Sequence, residues 1–148
     1  MSNLIGLGDE ADTELAKRRL LLEFCQEQNN LSASSYHYFI IKVRQNNKLV
    51  SSVITCTEYL VVPYRANNRS SINAFWEVIK DCPIDLYPIT QPIAEKAAEI
   101  RAAYKFRTMD SLQLAVACME GCDLFLTNDK QLQKFQEIPC ITVEEWEG

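Results

Sequence analysis

Short apolar runs recur along this chain with a helix-patterned stretch between successive runs, and that alternation limits the possible folds more than any other feature. Residues 49–55 (LVSSVIT) are rich in β-branched side chains, follow the turn-prone Asn46-Asn47-Lys48 and read as a buried strand. Residues 84–89, 123–126 and 138–143 read as further strands. Helices are expected over 56–65, 70–80, 90–104, 110–120 and 129–135. Ile72, Phe75, Trp76 and Ile79 stand at helical spacing, Thr90 with Pro92 marks a helix start, and Gly121 marks a helix end. Strands alternating with helices imply an α/β fold, a parallel sheet covered on both faces.

The first third of the chain is harder to read. Residues 9–28 suggest a helix, because Leu15, Leu20, Leu21, Leu22 and Phe24 are grouped around Glu14, Lys17, Arg18, Arg19 and Glu23. Residues 31–43 read as a second, less clearly patterned helix around the lone His37, for which packing or a surface position is the expected role. With 148 residues the chain can build one real core but not two, and its four Gly and five Pro form no linker. One domain over residues 1–148 is therefore expected.

Charge and cysteine usage narrow the function classes. A net charge of −5 opposes tight nonspecific binding to nucleic acid, which draws its affinity from Lys and Arg on phosphates. Any contact with nucleic acid must be local, and a basic protein partner suits the overall charge. No apolar run approaches the roughly 20 residues of a membrane helix, and the first residues lack a secretory pattern, so a cytoplasmic protein is expected. The six cysteines include no C-x₂-C pair; Cys118 and Cys122 lie four apart, but buried thiols are the expected reading.

Three acids stand near the expected strand ends. Glu58 follows Thr55 by three positions, Asp129 follows Leu126 by three, and Asp110 opens the helix before the strand at 123–126. In a parallel sheet the residues just past the strands share one edge, where ligands bind. Each acid also has a purely local explanation: Thr55-x-x-Glu58 as a capping box, Asp110 as an N-cap, and Asp129 as a turn or N-cap acid.

The run Arg107-Thr108-Met109-Asp110-Ser111-Leu112-Gln113-Leu114-Ala115, followed by Gly121 to Lys130 (GCDLFLTNDK), resembles the second half of a PIN domain of the VapC toxin type. Val53-Ile54-Thr55 leading to Glu58 resembles that family's second acidic site. The resemblance implies a three-layer α/β/α fold and a metal-dependent endoribonuclease held in check by an antitoxin, with a homodimer as a further expectation. It implies Glu58, Asp110 and Asp129 as catalytic and metal-holding residues for Mg²⁺ or Mn²⁺, hard cations that suit carboxylate oxygens. Arg101, Lys105 and Arg107 are candidate contacts to RNA phosphates, as are Thr127 and Asn3 to the substrate. A solvated helix face stands as the competing account of the three cations.

One departure from the family pattern carries weight. The first acidic ligand should end the central first strand and be followed by a pattern that Ser2-Asn3-Leu4-Ile5 matches, which puts Met1 in the place of that Asp. On this alignment the central strand is missing, Mg²⁺ binding is weak, and ribonuclease activity of this chain is uncertain. A non-catalytic or truncated PIN-like module that binds an antitoxin is then the alternative.

Overall fold

The computed structural model describes residues 18–23, 40 and 42–146. Among them five strands form one sheet, β1 (Arg18–Leu22), β2 (Asn47–Ser52), β3 (Ile84–Tyr87), β4 (Leu124–Thr127) and β5 (Cys140–Thr142). The spatial order is β3-β2-β1-β4-β5, and every neighbouring pair is parallel. The helices that follow β2 are α1 (Ile54–Arg65), α2 (Arg69–Asp81), α3 (Gln91–Tyr104) and α4 (Thr108–Met119). A 3₁₀ turn at Lys130–Lys134 follows β4, and another at Val143–Glu145 follows β5.

The central strand is therefore present, and it lies within the stretch that helical patterning had claimed. Leu20 pairs with Leu49 on one side and Leu124 on the other, and Leu21 pairs with Val50 and Phe125. Leu21 packs into the core formed with Ile93, Ile100, Leu114 and Phe125, whereas Leu20 and Leu22 face the opposite core with Leu49, Ile84 and Leu126. A strand buried on both faces needs apolar side chains in both directions, so its sequence is a continuous run and not an alternation. Such a run matches one turn of a helix equally well, which is why the expected helix over 9–28 is wrong at 18–22. Residues 9–17 and 24–28 of that expected helix, residues 31–39 and 41 of the one at 31–43, and Met1, Asn3 and His37 lie outside the described residues, while 40, 42 and 43 are helical as expected.

Sheet and helices make three layers. Helices α3 and α4 cover one face through Ile93, Ala97, Ile100, Leu114 and Ala117. Helices α1 and α2 cover the other, with Tyr59, Val78 and Ile79 against the sheet core and Leu60, Ile72 and Phe75 between the two helices. The later elements start and end within a few residues of the expected positions. The difference that matters most is at 53–55, where the chain has already turned from β2 into α1. The expected helix at 129–135 is a 3₁₀ turn.

Candidate metal centre

Because the chain winds from β1 through β2 to β3 on one side and then crosses to β4 and β5 on the other, the crevice beyond the ends of β1 and β4 is the topological switch point of the sheet. Glu23 is the first residue past β1, and it is only 5% exposed. Its amide donates to Leu126 O of β4 at 3.0 Å, extending the parallel ladder by one residue and fixing where the side chain begins.

Asp110 enters from the first turn of α4 and is 4% exposed. It is not a cap: Arg107 is the N-cap residue and makes no side-chain cap bond. Thr55 likewise lies inside α1, whose N-cap is Val53, so the capping-box account of Glu58 fails. Asp129 does cap, accepting from Gln131 N at 2.9 Å, and is half-buried at the start of the 3₁₀ turn after β4. Thr127 ties two of the acids together: its hydroxyl donates to Glu23 Oε1 at 3.4 Å and accepts from Asp129 N at 3.0 Å.

The electrostatics show that these acids share one place. Burial pushes the Glu23 carboxyl well above its ordinary range, and repulsion from Asp110, Glu58 and Asp129 pushes it further, against the lowering effect of the Thr127 hydrogen bond. Burial, with repulsion from Asp110, lifts Glu58 to about 7. Asp110 is raised by burial too, opposed by its hydrogen bond to Arg107. Arg107 Nε lies 3.0 Å from Asp110 and Arg107 Nη2 lies 3.7 Å from Asp129, so one guanidinium answers two of the acids. Glu23 Oε2 is buried and has no hydrogen-bond partner among the described residues.

An orphaned, solvent-excluded carboxylate oxygen among repelling carboxylates fits a cation, and an all-oxygen donor set fits a hard one such as Mg²⁺ or Mn²⁺. In this conformation, with Arg107 supplying the positive charge, no three His, Cys, Asp or Glu side chains among the described residues are drawn into ligand geometry.

The sequence model of the PIN domain family matches residues 31–138. This chain belongs to the PIN domain family. It is 30% identical over 116 residues to ribonuclease VapC1 of Aquifex aeolicus (strain VF5), across 75% of this chain and 78% of the relative. Among solved structures, VapBC-1 from nontypeable Haemophilus influenzae is similar with a TM-score of 0.68 at 15% identity, covering 86% of this chain and 99% of that one. VapBC2 from Rickettsia felis, bound to a promoter DNA fragment, gives 0.65 at 16% identity, covering 84% and 98%. At those identities the structural likeness speaks for the PIN fold alone.

The residue that sequence reasoning missed is Glu23. The pattern that resembles the residues after the first acid sits at Ser2-Asn3-Leu4-Ile5, which drew the alignment to Met1. The available signal was the run Leu20-Leu21-Leu22 ending in an acid. The other expected residues are distributed unevenly. Lys105 and Arg107 line, with Phe106, Asp110, Asn128 and Asp129, a cavity of about 430 Å³. Arg101 is outside that lining and borders a neighbouring depression with Ala98, Ala102 and Lys105. Thr127, expected to touch substrate, is 1% exposed and hydrogen-bonded to Glu23 and Asp129. Cys118 and Cys122 are held as thiols, pushed up by burial to about 12 and about 11.

Proposed function

We propose that this PIN domain protein is a metal-dependent endoribonuclease of the toxin-antitoxin type that cuts phosphodiester bonds in RNA. The observation that carries the proposal is the convergence of Glu23, Glu58, Asp110 and Asp129 on the switch point, with a buried Glu23 carboxylate oxygen that has no partner among the described residues. These four side chains would hold Mg²⁺ or Mn²⁺. When bound, such an ion activates water for in-line attack on phosphorus and offsets the charge that builds on the leaving oxygen.

The protein's own groups do the rest. Glu23 and Asp110 lie deep and Glu58 and Asp129 nearer solvent, and Asp110 and Asp129 line the 430 Å³ cavity. Lys105 and Arg107 are exposed at that opening and are placed to hold RNA phosphates beside the acids, giving the local basic contact that an acidic chain needs. Thr127 keeps Glu23 and Asp129 in fixed relation while it is itself excluded from substrate.

The ribonuclease reading draws support from the curated relative, named a ribonuclease, and the toxin-antitoxin reading from a solved structure of similar fold, the toxin-antitoxin complex from Klebsiella pneumoniae. An antitoxin protein and a second copy of the chain are the proposed partners, in the cytoplasm; no helix among the described residues is long and apolar enough to cross a membrane. The non-catalytic alternative rested on a missing first acid, and Glu23 at the end of β1 removes that ground. The test is cleavage of a structured RNA by the purified protein with Mg²⁺ or Mn²⁺. Cleavage that stops with a chelator and in Asp110→Asn supports the proposal; cleavage unchanged in both, or none with either cation, overturns it.

A further inference from the structure

Gln113 is fully buried in a turn of α4 otherwise made of the buried Leu114, Ala115, Val116 and Ala117, where a side-chain amide is costly unless its groups are bonded. They are. Ser52 Oγ donates to Gln113 Oε1 at 2.8 Å, and Gln113 Nε2 donates to Thr55 Oγ1 at 3.1 Å. Ser51 Oγ lies 2.7 Å from Thr55 Oγ1 and donates to Leu22 O at 2.8 Å. The Ile54 amide donates to Ser52 Oγ at 3.2 Å.

The proton directions in this chain follow from its two ends. Leu22 O can only accept, so the Ser51 hydroxyl spends its proton there and must accept from Thr55. The Thr55 hydroxyl therefore donates to Ser51 and accepts from Gln113. Gln113 Oε1 can only accept, which takes the proton of Ser52, and Ser52 accepts in turn from the Ile54 amide. One unidirectional series of hydrogen bonds thus runs from the first amide of α1 through α4 to the last carbonyl of β1. Ser51, Ser52, Thr55 and Gln113 are each 0% exposed, so no water competes for it.

Its ends fall beside the acids. Leu22 immediately precedes Glu23, Thr55 stands three residues before Glu58 on α1, and Gln113 three residues after Asp110 on α4. We propose that Gln113 is a positioning residue: with Thr55, Ser51 and Ser52 it locks α1, α4 and the end of β1 into the one arrangement that brings Glu23, Glu58 and Asp110 to a shared cation. Apolar side chains of the same volume would hold the helices on the sheet but allow them to slide, whereas a fully satisfied polar network admits one register. The inference rests on the nuclease reading, in that it concerns the same site.

The experiment compares wild type, Gln113→Leu and the double variant Gln113→Leu/Thr55→Val, which replaces Gln113 together with its Thr55 partner and guards against a single variant that fails to fold. Melting temperature, Mn²⁺ affinity by calorimetry, and kcat and KM for RNA are measured on each. The expected result is a double variant that melts within a few degrees of wild type, binds Mn²⁺ about 10- to 100-fold more weakly, as for lost support of a metal ligand, and loses kcat with KM little changed. Folded variants that bind Mn²⁺ as tightly as wild type overturn the positioning role and leave the nuclease reading intact. Wild type that neither binds Mn²⁺ nor cleaves RNA overturns both.

Discussion

The Thr127 hydroxyl reaches the Glu23 carboxylate at 3.4 Å and joins the ends of the two middle strands, β4 and β1, at the point where the sheet reverses its winding. The same oxygen accepts from the Asp129 amide, so one buried side chain sets the relation of two acids. Thr127→Val keeps the shape and removes both bonds. It should cost about 1–3 kcal/mol in denaturant unfolding, the penalty of leaving buried polar groups unpaired, and weaken Mn²⁺ binding about 10-fold. Unchanged stability and affinity would show that the acids are held by other contacts.

Leu21 is fully buried in β1 between the layers, so Leu21→Ala should destabilise the protein by roughly 2–5 kcal/mol, as for a core leucine. A residue on a solvated amphipathic helix would cost far less. Equilibrium unfolding of this variant is thus a direct check on the central strand, and amide exchange at 20–22 should be among the slowest in the chain.

Glu23 and Glu58 bind protons more tightly in the folded protein than in the unfolded chain, since both carboxyls are raised above 4.5. Their favourable contribution is present in full below the unfolded value and is lost as pH rises through the folded value, about 7 for Glu58. In metal-free buffer the melting temperature should fall by roughly 5 °C between about pH 5 and pH 8, and Glu23→Gln should flatten that slope. A slope of the opposite sign in this window would contradict the crowding of these acids.

Arg107 bridges Asp110 and Asp129 yet keeps 67% of its side chain exposed, which fits a group that also meets substrate. In an Asp110→Asn background that binds RNA without cutting it, Arg107→Ala should weaken binding and reduce the dependence of log K on log salt by about 0.7, the share of one phosphate contact on a single strand. Affinities measured over a series of salt concentrations decide this; an unchanged slope would remove Arg107 from the RNA-binding surface.

Much of the fold is legible in the sequence from residue 47 onward, because each strand there is bounded by turn residues or by a helix start. Of the proposed site, the acids near such strands were readable as candidates: Glu58, Asp110 and Asp129 all lie close enough to Glu23 to raise its carboxyl. What the sequence concealed was β1. Its Arg18-Arg19-Leu20-Leu21-Leu22-Glu23 has charges at both ends and a solid apolar middle, and only tertiary burial on two faces distinguishes it from a turn of amphipathic helix. Glu23 was hidden with it, since an acid is read as a ligand only once it is known to end a strand. The Gln113 network was illegible for a related reason: its partners are 58 and 61 residues away and meet only through the crossover from β2 to α4.

The central claim is that Glu23 completes a four-carboxylate metal centre at the end of β1. Calorimetric titration of Mn²⁺ into wild type and Glu23→Gln, both checked for folding, tests it most directly. The account predicts saturable binding to wild type and a loss of at least about 100-fold in the variant, more than for a supporting residue. Equal Mn²⁺ affinity in the two proteins would contradict it.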